Sequence, residues 1–428
     1  MSTFLTDDTK AIILLCGFFG KSNSANPLSQ REYNALVRWL MSADLRPKDL
    51  LQNENIGPAS IGSGIYEQRL ESLLGRGVQL GFAVEEWQRN GIWIISRSDD
   101  DYPARYKSHL KDIAPPLLFG VGDRSLLCGG GLAVVGSRNV DEIGEAFTRR
   151  IGELCAQNRI PVVSGGARGV DQFVMTASLE GGGVTIGVLA DNLLKTSLER
   201  NSRKAISEGR LLLISHCHPN ARFTVGTAMG RNKLIYAMAD YGLVVSAEYK
   251  KGGTWAGAEE ELKRECPIPV FVRMEEGVPS GNKKLLELGA VAWPKKSDQT
   301  NLKTQLGELS VKSQQKKTPK NMSLFEFQEM QKTSTDQAQN EERAETIFQS
   351  DDVKDSIEKN SAPTVYETVL PVILDKLQSP STLDELSQAL DVVKPQLNVW
   401  LKKALDEKKV VKLLRPVRYQ RLRSEERM

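Results

Sequence analysis

The stretch Leu132–Asp171, LAVVGSRNVDEIGEAFTRRIGELCAQNRIPVVSGGARGVD, decides the fold. It opens on a continuous apolar run, Leu132–Val135, and breaks at Gly136-Ser137-Arg138. After Asp141 it resumes with Ile143, Phe147, Ile151 and Leu154 on one helical face. A second apolar run, Ile160–Ser164, ends on another glycine loop that carries Gly165, Gly166, Arg168 and Gly169 before Asp171. Strand, loop, helix and strand in this order predict a parallel βαβ unit.

Working outward, the runs Ile92–Ser96, Thr185–Leu189, Leu211–Ser215, Gly242–Ser246 and Pro269–Val272 read as further strands, with helices over Asp171–Leu179 and Ala258–Arg264. Their strands are apolar throughout rather than alternating, which requires cover on both faces. The prediction is an α/β domain with an extended Rossmann-like parallel sheet over residues 91–297.

The flanks differ in pattern. Residues 1–90 read as a helical domain, of the helix-hairpin-helix or SAM type or a plain packing or dimerisation module. Tyr33, Leu36, Val37 and Leu40, then Tyr66, Leu70, Leu73 and Leu74, recur at helical spacing, and Asn55-Ile56-Gly57-Pro58 reads as a loop between them. Residues 298–362 are rich in Gln, Lys, Ser, Thr, Asp and Glu. They cannot bury enough apolar surface to offset chain entropy and predict a flexible linker, interrupted by the apolar island Met322–Met330. Residues 363–428 recover a pattern of three helices and a hairpin, winged-helix-like in order. Thr382 and Glu385 suit a capping box, Pro395 suits a helix start, and Val410–Leu414 and Val417–Leu422 suit two strands. From Lys408 onward eight basic residues face two acidic ones. Duplex-DNA contact through this domain and a protein-interaction role both stand.

Chemistry concentrates in loops that follow strands. Gly136, Ser137 and Arg138 end one strand just before a helix, where backbone N–H groups and the helix dipole attract an anion. Ser164, Gly165, Gly166, Arg168 and Gly169 repeat the design, and Asp171 reads as the N-cap of the next helix. Arg231, Asn232 and Lys233 read as a helix start, where cations oppose the dipole unless an anionic ligand is present. Gly252, Gly253 and Thr254 form a fourth loop. Such loops meet at the carboxyl edge of an open α/β sheet, so Arg138, Arg168, Arg231 and Lys233 together predict a phosphate-binding groove. Tyr236 and Trp255 are candidate stacking platforms for bases, with burial in the core as the alternative.

Four motifs stand in the order seen in the DNA-processing protein A (DprA/Smf) family. They are Gly136-Ser137-Arg138, Ser164-Gly165-x-Ala167-x-Gly169-x-Asp171, Thr185-Ile186-Gly187-Val188-Leu189 and Arg231-Asn232-Lys233-Leu234-Ile235. Tyr102-Pro103 and the run Pro115–Gly122 resemble that family's lead-in. The resemblance covers about residues 90–275. It implies an extended Rossmann fold, binding and protection of single-stranded DNA, loading of the RecA recombinase during recombination or natural transformation, and a homodimer. Three departures mark a divergent member: Met175 where the family usually has histidine, His216 where it usually has glutamate, and the altered stretch Gly252–Ala258.

The rest of the composition sets bounds. The chain has 428 residues and a net charge of only +3, so a basic groove must be local. Five separated cysteines form no C-x-x-C pair, and no apolar run approaches the roughly 18 residues that span a bilayer. A cytoplasmic protein without membrane, metal or cofactor is expected. Only three histidines occur, and no nucleophile–base arrangement stands out, so enzymatic chemistry is not expected. The competing reading is a phosphoribohydrolase-like nucleotide enzyme, because Gly252-Gly253-Thr254 with Glu259 and Glu260 is similar to that family's P-G-G-x-G-T-x-x-E loop. His216-Cys217-His218 reads as a solvated strand end rather than a metal site.

Overall fold

The computed structural model describes residues 5–18, 26–275, 277–295, 301–317, 365–390, 394–407, 409–414 and 417–421. Two compact units divide at Asn321, and each is taken by itself.

Nine strands of the first unit form one sheet in the order β1-β2-β6-β5-β4-β3-β7-β8-β9. They are β1 Trp93–Ser96, β2 Leu117–Val121, β3 Leu132–Gly136, β4 Val162–Ser164, β5 Thr185–Leu189, β6 Leu211–Ser215, β7 Tyr241–Ser246, β8 Val270–Val272 and β9 Val291–Ala292. From β6 to β9 every pairing is parallel, while β1 and β2 add antiparallel at the β6 edge. The expected Rossmann-like sheet is present with two strands more than the seven expected. One of them, β2, follows Pro115-Pro116 and is buried throughout, so its five apolar residues show no alternation by which to separate strand from helix. The other, β9, is only two residues long. At β4 and β8 the observed strands start one residue after Pro161 and Pro269, since proline brings no N–H to a ladder.

Period-two alternation builds two cores on the two faces of β3. Leu132 and Val134 face one layer with Ile151, Leu154 and Val174, whereas Ala133 and Val135 face the other with Leu234, Ile235 and Trp255. The helices, in chain order, are α1 Asp7–Cys16, α2 Gln30–Ser42, α3 Ile56–Ser63, α4 Glu67–Leu74, α5 Gly77–Arg89, α6 Ala104–Leu110, α7 Glu142–Gln157, α8 Val170–Glu180, α9 Leu193–Leu198, α10 Arg200–Ser207, α11 Val225–Met238, α12 Gly252–Leu262, α13 Ser280–Glu287 and α14 Leu302–Lys317. Helices α1–α5 share a third core with one face of β1, β2 and β6 through Ile94, Leu117, Phe119, Val121 and Leu213. Burial of each such side chain contributes about 1.5–3 kcal/mol.

Three local expectations need correction. Asn55–Pro58 is not a loop throughout, because α3 starts at Ile56; Pro58 sits in its first turn, where a missing N–H costs nothing. Tyr66 is exposed while Leu70 and Leu73 carry the packing of α4. Helix α14 lies inside the stretch expected as linker, because Leu302 and Leu306 are fully buried beside Phe271 and Trp293. A polar average over the segment hides this two-leucine stripe. Met322–Met330 lies outside the described residues.

The second unit holds α15 Val365–Lys376, α16 Leu383–Leu390 and α17 Lys394–Asp406, then an antiparallel hairpin of β10 Val410–Leu414 and β11 Val417–Arg421. The Thr382–Glu385 capping box forms, with Thr382 N donating to Glu385 Oε2 at 2.8 Å and Glu385 N to Thr382 Oγ1 at 3.3 Å. Ile373, Leu386, Leu397, Leu401 and Tyr419 make its core. Arg415, Pro416 and Leu422 lie outside the described residues.

Candidate nucleic-acid interface

Strands β4, β5 and β6 wind away from β3 on one side, and β7 returns to its other side. The carboxyl ends of β3 and β7 therefore flank the topological switch point, the place where open α/β sheets form a crevice. A cleft of about 790 Å³ lies there, lined by Gly136, Arg138, Arg231, Ser246, Gly253 and Thr254 among others.

The β3 loop is shaped by close packing. A Cβ on Gly136 would stand 2.5 Å from Val170 Cγ2, so only glycine lets α8 approach. Ser137 Oγ accepts from Asn139 N at 3.1 Å and holds the turn, and Asp141 caps α7 by accepting from Gly144 N at 2.8 Å. Arg138 is left near the surface. Its guanidinium lies 4.9 Å from the ring centroid of Phe223, itself 45% exposed.

In the second loop, Ser164 is fully buried and donates to Val134 O at 2.7 Å, so its hydroxyl serves the sheet. Asp171 is not the N-cap expected, since Gly169 holds that position in α8 without a side-chain cap. Its carboxylate reaches back to accept from Gly165 N at 3.2 Å and Ala167 N at 3.4 Å, pinning the glycine loop. Burial pushes the Asp171 carboxyl above its ordinary value, and the nearby Arg231 charge opposes that shift. Arg168 bonds outward, to Asn139 Oδ1 and to Arg138 O at 3.5 Å.

The third element departs most from expectation. Arg231-Asn232-Lys233 does not open a helix, because α11 starts at Val225 and is capped by Thr224, whose Oγ1 accepts from Thr227 N at 3.0 Å. Arg231 ends the second turn and Asn232 and Lys233 open the third, where the opposition of the dipole to a cation has faded. Arg231 is only 5% exposed and donates from Nη1 to Val188 O at 2.7 Å, while its Nε has no hydrogen-bond partner. Burial draws the Arg231 pKa down, with Asp171 opposing. Gly165 makes this burial possible, since a Cβ there would sit 1.7 Å from Arg231 Nη1. Asn232 Nδ2 donates to Gly253 O at 2.9 Å. Lys233 lines a smaller hollow of about 220 Å³ that shares Met229, Asn232, Gly253 and Gly257 with the cleft.

Helix α12 begins at Gly252 rather than Ala258, placing Gly253 and Thr254 in its first turn. Thr254 Oγ1 donates to Gly136 O at 3.0 Å and ties the fourth loop to the first. Tyr236 and Trp255 are core, 1% and 4% exposed, and not stacking platforms. The exposed aromatics at this edge are Phe223 and Tyr249, the latter edge-on to Trp255 at 4.9 Å. A lone aromatic among polar residues just before a capping box was the available signal for Phe223.

A second hollow of about 520 Å³ adjoins the cleft, sharing Arg138, Phe223 and Arg231 with it and adding Gly165, Gly166 and Arg168. Thus Arg138, Arg168 and Arg231 converge at the sheet edge, while Lys233 lines the smaller hollow that adjoins the cleft. His216 is not a solvated strand end: its Nδ1 is buried without a partner, and burial, aided by Lys233 and Arg231, draws its pKa down to about 4. Among the described residues no group of three or more side chains is placed to hold a metal ion, and no helix is long and apolar enough to cross a membrane. All five cysteines are free thiols.

The family described as DNA recombination-mediator protein A matches residues 93–303. DNA processing protein DprA of Streptococcus pneumoniae is 30% identical over 195 residues, covering 45% of this chain and 67% of that protein. Its Bacillus subtilis counterpart is 29% identical over 212 residues, covering 48% and 69%. A Mycobacterium tuberculosis relative is 26% identical over 249 residues, and the match spans only 61% of its length. The X-ray structure of the S. pneumoniae protein shares the fold, with a TM-score of 0.55 at 22% identity, covering 71% of this chain and 98% of that one. Carrying the family's glycine loops at the edge of a matching sheet, the chain belongs to the DNA-processing protein A (DprA/Smf) family.

Proposed function

We propose that the protein binds single-stranded DNA along the carboxyl edge of its sheet and acts as a recombination mediator, protecting the strand and passing it to RecA. The observation that carries this reading is the pair Arg138 and Phe223, a guanidinium over an exposed ring at the mouth of the cleft. An unpaired base can stack on that ring while Arg138 meets its phosphate; a paired base inside a duplex cannot reach it. Arg168 extends the phosphate track into the adjoining hollow. Family membership supports the role in DNA processing, while the homodimer and the RecA partner rest on the family resemblance. The basic Lys412 and Arg418 of the β10–β11 hairpin support a second contact, with duplex DNA.

The phosphoribohydrolase reading is weaker in this fold. Glu259 is engaged by Trp255 Nε1 at 2.9 Å and Lys263 Nζ at 2.8 Å, Glu260 pairs with Arg264, and neither carboxylate lines the switch-point cleft.

The test is a salt-titrated anisotropy measurement with oligothymidylate and with duplex of equal length. Replacing Arg138 and Arg168 by alanine should weaken single-strand binding and lower the slope of log K against log salt by about 0.7 for each phosphate no longer neutralised, with the thermal midpoint unchanged. Phe223→Ala should cost about 1–3 kcal/mol with the salt slope retained. Unchanged affinity in both variants would sink the proposal.

A further inference from the structure

We propose that the switch-point cleft is a seat for a single nucleotide bearing a terminal phosphate monoester, so that the protein recognises a phosphorylated nucleotide end as well as the length of a strand. Recognition of a strand end rests on the single-strand reading above, whereas the nucleotide seat rests on the cleft itself.

Three features of the cleft call for a compact, doubly charged anion. Helix α12, eleven residues long, turns its first residues toward the cleft, and Lys251 at its N-cap makes no side-chain cap. Gly252 there adopts φ +77° and meets open space where a Cβ would stand, so nothing crowds the approach to that helix end. A helix N-terminus left uncapped presents N–H donors and the positive end of a dipole.

Second, Arg231 lines the same cleft although only 5% of it is exposed, with Nε lacking any hydrogen-bond partner. The carboxylates that act on it through space are Asp171 and, more weakly, Asp191. The guanidinium is held by the carbonyl of Val188 and the nearby charge of Asp171, and the part of it that lines the cleft favours an anion there.

Third, the ionisable lining is unbalanced. Arg138, Arg231, Lys250 and Lys251 face only Asp171 and Glu248. Two positive charges in excess match a phosphate monoester, which carries about −1.5 to −2 at neutral pH, better than the single charge of an internal phosphodiester. The buried Tyr236 and Trp255 are among the residues that line the cleft, and Phe223 stands where it meets the adjoining hollow. At about 790 Å³ the cleft falls within the range of small-ligand sites.

The monoester can belong to the end of a DNA strand or to a free nucleoside monophosphate, and the experiment separates them. Internally labelled oligothymidylates with a 5′-phosphate, a 3′-phosphate or no terminal phosphate are titrated onto the full chain. Thymidine monophosphate, thymidine and inorganic phosphate are measured alone by calorimetry and as competitors. One phosphorylated end should bind about tenfold tighter than the bare strand, as expected for an added charge-assisted contact. Thymidine monophosphate should compete where thymidine and inorganic phosphate do not, and Lys250→Glu with Lys251→Glu should erase the preference between ends.

Equal binding of all three strands, with salt-dependent affinity intact, overturns the end-recognition proposal and leaves single-strand binding standing. Inorganic phosphate competing as well as the mononucleotide also overturns it, as a bare anion site. Mononucleotide binding without any strand binding retains the cleft as a free-nucleotide seat and removes the DNA reading. Binding of neither removes both.

Discussion

Arg231 shows how one side chain sets the character of this edge. It is buried against the second glycine loop because Gly165 has no Cβ, and its Nη1 bonds to Val188 O near the end of β5. It therefore shapes the potential of the cleft from below, while Arg138 and Arg168 stand at the surface to meet phosphate directly. His216, just past the end of β6, feels the same positive field. Its folded pKa is drawn down to about 4, mainly by burial, against an ordinary value near 6.5. Between these values the unfolded chain binds the proton and the folded chain does not, so stability falls as pH drops through that window and levels below it. We expect the wild-type protein to lose about 2–3 kcal/mol from this group between pH 7 and pH 4. Urea midpoints of wild type and His216→Gln across that range check it, the variant showing a shallower decline.

At the level of elements, the helices that border the cleft are positioned by short polar contacts rather than by their apolar faces alone. Thr224 caps α11 reciprocally with Thr227, Asn232 holds Gly253, and Thr254 reaches across to Gly136. Removing the cap by Thr224→Ala should cost about 1 kcal/mol of stability. It should also increase amide exchange over the first turn of α11, next to Phe223. Hydrogen exchange read over residues 224–230 against the core of the helix tests this, and uniform exchange along α11 would contradict it. The register of α11 also explains why Arg231-Asn232-Lys233 reads as a helix start without being one. The cap lies seven residues earlier, at a Thr-x-x-Thr whose second threonine, unlike Glu or Gln, is a weak capping signal.

Across the whole molecule, the sheet domain extends beyond its strands. Leu302 and Leu306 of α14 pack into the core shared by Leu132, Phe271 and Trp293, so a helix that reads as linker by composition closes one face of the sheet. Leu306→Ala should lower stability by about 2–5 kcal/mol, the cost of a cavity in a buried site, whereas a true linker position would tolerate it. Chemical denaturation of the full chain decides. Much of the architecture was nevertheless legible. The βαβ unit of Leu132–Asp171, five further strands and the glycine loops at their ends follow from local periodicity, because a strand buried on both faces must be apolar throughout and a βα turn must admit close backbone approach. The convergence of Arg138, Arg168 and Arg231 follows from the rule that parallel strands bring their carboxyl ends to one edge. What only the tertiary structure decided is which side of each loop a residue occupies. It buried Arg231, Tyr236 and Trp255, exposed Phe223, turned Asp171 back onto the glycine loop and put Lys233 in the smaller hollow beside the cleft. Burial is a property of what packs against a residue from elsewhere in the chain, and no local spacing carries that information.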